Sequence, residues 1–213
     1  MVLRADRSHQ TFDIDIEPLD QAPNHVLLIV VDSLRPDATL EVNLDNPITT
    51  VIAPSTWTYP SVTSLHTGKY PHEHGAVVHT YPEDAQFKIP EQYEDEPTLP
   101  HVPSAGGYDT YAGCSFLTPF LAVRGWYQTH SVKNDAHAET VISDYLQWKS
   151  GRSHTFAYLH LGDLHAPINP PKDYTGNDID MDLPNLRWIR EYTNDFDISD
   201  EKCAYYRRNK LFF

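Results

Sequence analysis

The run HVLLIVV over residues 25–31, closed abruptly by Asp32-Ser33, limits the possible folds of this chain more than any other feature. It is short, β-branched and continuously apolar, the pattern of a strand buried on both faces, as in a parallel sheet. Arg35-Pro36-Asp37 follows, where a loop begins. In open α/β sheets ligands collect at the carboxyl ends of strands, so Asp32 is a functional candidate. The competing reading is that Asp32 only caps the turn, a common place for aspartate.

The rest of the chain alternates strand and helix patterns. A second short strand is expected over residues 47–53, and a helix over Ser61–Thr67, introduced by Tyr59-Pro60 and stopped by Gly68. Residues 81–100, rich in Pro, Glu and Asp, read as a loop. A short helix is expected over 98–107, a strand over 108–113, an amphipathic helix over 136–148 and a strand over 154–161. This alternation predicts an α/β fold with a mostly parallel sheet flanked by helices. Residues 1–24, with Phe12, Ile14 and Ile16 in alternation, form a lead-in or an edge strand. The polar tail contains a possible helix from Ser199 and ends in Leu211-Phe212-Phe213.

The chain carries 30 acidic and 16 basic residues, a formal net charge of −14. Such a balance disfavours nucleic acid and anionic membrane surfaces, which need basic patches. It fits a solvated acidic surface, and in its specific form a halophilic one, since at molar salt the Debye length is about 3 Å and carboxylates stop repelling at range. Cys114 and Cys203 lie far apart, outside any metal-ligand spacing, and read as free thiols. The opening MVLRADRSHQ lacks the apolar run of a signal peptide, and no stretch is apolar enough for a membrane span, so the expected location is cytoplasmic.

Polar groups stand where buried strands end or a helix opens: Asp32, Thr58, and Asp163 with His165. Such oxygen and nitrogen donors suit a divalent metal. Thr58 comes just before the expected helix, whose N-terminus favours an anionic ester. A threonine hydroxyl is a weak nucleophile that metal coordination can activate.

HVLLIVVDSLRPD resembles the first strand and metal-ligand aspartate of the sulfatase family, within the alkaline phosphatase superfamily. STWTYPSVTSLHTGKYPHEHG resembles that family's nucleophile helix and its Tyr-Pro-x-x-His-Gly turn, and FAYLHLGDLHAPINPP its strand followed by Asp-x-His-x-Pro. The resemblance spans most of residues 25–171. It implies an alkaline-phosphatase-like fold that hydrolyses a small-molecule sulfate or phosphate ester through a covalent intermediate. Thr58 would be the nucleophile, and Asp32, Thr58 and Asp163 would hold zinc, calcium, magnesium or manganese. His165 would contact the ester oxygens or protonate the leaving group.

The chain departs from that pattern in two places. Sulfatases proper carry Cys-x-Pro-x-Arg or Ser-x-Pro-x-Arg, whose first residue is oxidised to formylglycine; here the aligned stretch is Thr58-Tyr59-Pro60-Ser61-Val62. Threonine is not a substrate for that oxidation, which turns the expectation toward phosphodiesterase or phosphoglycerol-transferase branches. The family also supplies metal ligands from a later Asp-His-Gly, which this sequence does not contain. Residues 25–171 are therefore expected to be the N-terminal portion of such a domain, with 172–213 its truncated continuation. A catalytically inactive remnant serving as a binding module is the alternative. Structural roles are expected for His72 and His74 in shaping their turn, for Lys69 as a surface cation, and for Trp57, Trp126 and Trp148 as core or rim aromatics.

Overall fold

The computed structural model describes residues 9–15, 22–34, 49–77 and 96–165. Strand β1 is His25–Val31, β2 Asp109–Cys114, β3 Thr129–Val132 and β4 Thr155–Leu161. The helices are α1 Thr58–Thr67, α2 Pro71–His74, α3 His101–Ala105, α4 Leu117–Val123 and α5 Ala138–Lys149. The strands form one parallel sheet in the order β1-β4-β2-β3, which is the α/β architecture expected from the sequence. Contacts divide the chain into two compact units, Met1–Val30 with Ile52–Leu161, and Val31–Val51 with Gly162–Phe213.

The central strands carry the core. In β4 every residue is buried, and in β2 all but Asp109. One face of the sheet sets Ala112, Cys114, Phe156 and Tyr158 against Tyr59 and Val62 of α1 and Phe120 and Leu121 of α4. On the other face, Val141 and Tyr145 of α5 are buried, and Tyr111 stacks on Trp148 with ring centroids 4.8 Å apart. Gly113 permits this approach. A Cβ there would lie 2.9 Å from Leu159 Cδ2 and 3.2 Å from Val141 Cγ1.

Strand β1 differs from its expected environment. Among the described strands it lies at the edge of the sheet, and its residues mostly alternate between half-buried and exposed. Val26, Leu28 and Val30 pack on the core, while Leu27 and Ile29 are exposed. A continuously apolar run identifies a strand but cannot tell a central position from an edge.

Other boundaries also moved. Residues 49–53 form no strand, and Val51 and Ile52 are exposed. Helix α1 begins at Thr58 and not at Ser61, because Pro60 sits within the first turn, where its missing N–H has no intrahelical acceptor to lose. Gly68 ends it with φ 69°, as a left-handed cap should. Residues 9–15 form no strand; Gln10 N–H instead donates to the Gly125 carbonyl at 2.8 Å. Cys114 is free and buried, and burial pushes its thiol well above the ordinary range. Cys203, the expected helix from Ser199, and Phe212-Phe213 lie outside the described residues. No helix among the described residues is long and apolar enough to cross a membrane.

Candidate functional site

Strands β1 and β4 are parallel neighbours, so their carboxyl ends fall on the same edge of the sheet. Asp32 follows β1 directly, and Gly162-Asp163-Leu164-His165 follows β4. These polar residues belong to the same compact unit. Ser33 adopts a left-handed backbone, φ 59°, which is uncommon for a residue other than glycine and is a form of local strain found at functional turns. Its hydroxyl donates to Asp32 Oδ1 at 3.1 Å, orienting the carboxylate.

The segment after β4 is a tight turn in which His165 N–H donates to the Gly162 carbonyl at 2.8 Å. Leu164 is fully buried within it, whereas Asp163 and His165 are half-buried. The apolar residue thus anchors the turn, and the two polar ones beside it keep access to solvent. Sequence reading singled out Asp163 and His165 but passed over Leu164, whose apolar side chain between them was the available signal.

Thr58 is the first residue of α1, half-buried, in the other compact unit. The N-cap residue, Trp57, is extended and forms no side-chain cap, and the first turn contains no acidic residue. The positive end of the helix dipole is therefore not compensated by a carboxylate of its own first turn. Val62, one turn on, is buried in the core and serves packing.

The remaining polar groups near α1 are structural. Ala76 N–H donates to His74 Nδ1 at 3.0 Å, which places the proton of the neutral ring on Nε2, from where it is donated to Ser64 Oγ at 2.9 Å. Burial lowers the His74 pKa and keeps the ring neutral. His66 Nδ1–H donates to the Val62 carbonyl at 2.9 Å, leaving Nε2 to accept from the Tyr127 hydroxyl at 2.9 Å. Burial pushes His66 down to about 4. Lys69 pairs with Glu96 at 2.8 Å on the surface, and exposed His72 stacks on Tyr70. These are the structural roles expected for His74 and Lys69.

Asp32 and Asp163 are hard oxygen donors, suited to a divalent ion. Among the described residues, however, no three His, Cys, Asp or Glu side chains are grouped closely enough to hold one. These residues therefore provide at most part of a metal shell. Compared with family models, curated proteins and solved structures, the chain matches none.

Proposed function

We propose that this chain is a sulfatase-like domain of the alkaline phosphatase superfamily that hydrolyses a sulfate or phosphate ester, with Thr58 as nucleophile. The observation that carries the reading is the head of α1, where a hydroxyl opens a helix that has neither a side-chain cap nor a first-turn acid. Such a terminus attracts an anionic ester, and the hydroxyl lies beside the N–H groups that would bind its oxygens. Supporting it are Asp32, held by Ser33 after β1, and the Asp163–His165 turn after the neighbouring strand.

In this reading Thr58 Oγ1 forms a bond to sulfur or phosphorus, losing its proton to solvent. The bond to the alcohol breaks, and the departing oxygen takes up a proton from solvent. Water then releases the sulfuryl or phosphoryl group from Thr58. Asp32 and Asp163 would hold a divalent metal, whether zinc, calcium, magnesium or manganese, which would supply positive charge to an anionic ester. A threonine followed by Tyr59-Pro60 favours phosphodiesterase-like or phosphoglycerol-transferase-like chemistry over formylglycine chemistry.

The test compares parent and Thr58→Ala on a sulfate monoester, a phosphate monoester and a phosphodiester. Turnover of one class that vanishes in the variant supports the reading, and equal turnover by both proteins removes Thr58 from the mechanism.

One observation favours a second reading, a catalytically inactive domain that serves as a binding module. It is the lack, among the described residues, of three grouped metal-ligating side chains. Purified protein that retains no stoichiometric divalent metal and turns over no ester would support it.

A further inference from the structure

Residues 9–15 form no strand, yet they are fixed against elements far along the chain. The Gln10 N–H donates to the Gly125 carbonyl at 2.8 Å, and the Phe12 ring meets His101, the first residue of α3, edge-on at 4.7 Å. The His9 ring lies 6.1 Å from the same imidazole. His101 is 2% exposed. Its Nδ1 accepts from the Thr98 N–H at 2.9 Å, so the proton of the neutral ring sits on Nε2. Among the described residues, that Nε2–H and both His9 nitrogens are shielded from solvent but make no hydrogen bond, although the Gln10 carbonyl gives His101 some electrostatic support. Shielded polar groups in native proteins are nearly always paired, so three such ring nitrogens at one contact require an explanation.

We infer that residues 9–15 form an acid-released strap, docked on α3 and the Gly125 turn while His9 and His101 are neutral and detached when these rings gain protons. The contact tolerates charge poorly. A proton added to His101 goes to Nδ1, where it can reach Thr98 Oγ1 at 3.0 Å but leaves the Thr98 N–H without its acceptor. A charged His9 brings a second positive ring to the same contact. The charged groups on the packed elements are committed elsewhere or of the wrong sign. Asp13 and Asp15 occupy exposed positions of the strap, and Glu96, before α3, pairs with Lys69. Asp109 of β2 pairs with Arg152, and Arg124, beside Gly125, is itself a cation. His66 of α1 is engaged at both nitrogens, by the Val62 carbonyl and the Tyr127 hydroxyl. Among the described residues, the ionisable group that acts on His101 is His9, and it disfavours the charge. Burial holds His101 down to about 4 and His9 below its ordinary value. Both being depressed in the docked state, docking is fully favoured above about pH 6.5 and is lost as pH falls toward 4. Because residues 9–15 pair with no strand, they can open locally while the core stays closed. The inference is independent of the reading of Thr58.

Hydrogen exchange read by mass spectrometry on the full chain tests this, with rates corrected for the intrinsic pH dependence of amide exchange. Between about pH 7.5 and 5, the peptide covering residues 9–15 should lose at least about tenfold in protection while peptides from β2 and β4 keep theirs. The double variant His9→Gln, His101→Asn is neutral at both positions throughout, and its asparagine oxygen still offers the Thr98 N–H an acceptor. Its strap should stay protected across the same range. If the double variant is undocked at neutral pH, His9→Gln alone decides: a shallower loss than the parent's supports the strap, and an equal loss contradicts it. Four results in the remaining cases would overturn the inference. They are a parent whose residues 9–15 are unprotected at neutral pH, protection that persists to the acid end, simultaneous loss in strap and sheet, and a docked double variant that releases as the parent does.

Discussion

Ser64 Oγ and His74 Nε2 lie 2.9 Å apart in the interior, joining α1 to the Tyr70–Gly75 turn. The pair looks like a hydroxyl beside its general base, but the backbone decides otherwise. Because Ala76 N–H donates to Nδ1, Nε2 carries the ring proton and gives it to Ser64. His74 cannot remove a proton from Ser64 in that tautomer. His74→Ala should therefore act on stability: it leaves a buried hydroxyl without its donor and opens space, a loss of about 1–3 kcal/mol. Ser64→Ala should leave any ester turnover within reach of the parent once folded protein is normalised. Chemical denaturation and initial rates on the same preparations check both.

His66 predicts an acid limit to stability. Its ring is buried between Tyr127 and Tyr158, and burial pushes its pKa from 6.5 to about 4. The unfolded chain binds that proton first, so stability is fully present above about pH 6.5 and falls as pH drops toward 4. The loss for this one ring is about 3 kcal/mol, an upper figure for a fully buried group. His101, which burial also pushes down to about 4, adds to the same window. Urea midpoints across this range test the sign. His66→Phe should be less stable at neutral pH, because Tyr127 loses its acceptor, and should show a shallower acid slope.

Gly113 should tolerate no side chain. A Cβ would stand 2.9 Å from Leu159 Cδ2, 3.0 Å from Tyr111 Cε1 and 3.2 Å from Val141 Cγ1, all between β2, β4 and α5. Gly113→Ala should destabilise by about 1–3 kcal/mol through overpacking, although alanine suits a strand at least as well as glycine. A midpoint at or above the parent's would show that this face is looser than described.

The acidic surface should make stability depend on salt. With a net charge of −14, repulsion is strongest in dilute buffer and is screened as potassium chloride rises to molar levels. Melting temperature should therefore increase along that series. Maximal stability in dilute buffer would count against a salt-adapted surface.

The parts of the fold legible in the sequence were those with a strong period or punctuation. The run at 25–31 gave β1, Gly68 gave the end of α1, and apolar spacing from Val141 to Trp148 gave α5. Helix α4 escaped because Pro119 reads as a breaker, although it sits in the first turn, where proline is tolerated. Strand β3 is four residues, too short for its alternation to stand out. The environment of β1 depended on strand order, which is a tertiary property that local pattern does not encode. Asp32, Thr58, Asp163 and His165 were visible as polar residues at element ends. Their supports, the left-handed Ser33 and the buried Leu164, became apparent only from backbone geometry and burial.

The central claim is that Thr58 carries the reacting group. It is tested most directly by acid-quenching the protein during turnover of a sulfate or phosphate ester, then mapping modified peptides by mass spectrometry. The account predicts a sulfuryl or phosphoryl adduct on the peptide containing Thr58, absent in Thr58→Ala. Turnover with no adduct at Thr58, or with the adduct on another residue, would contradict it.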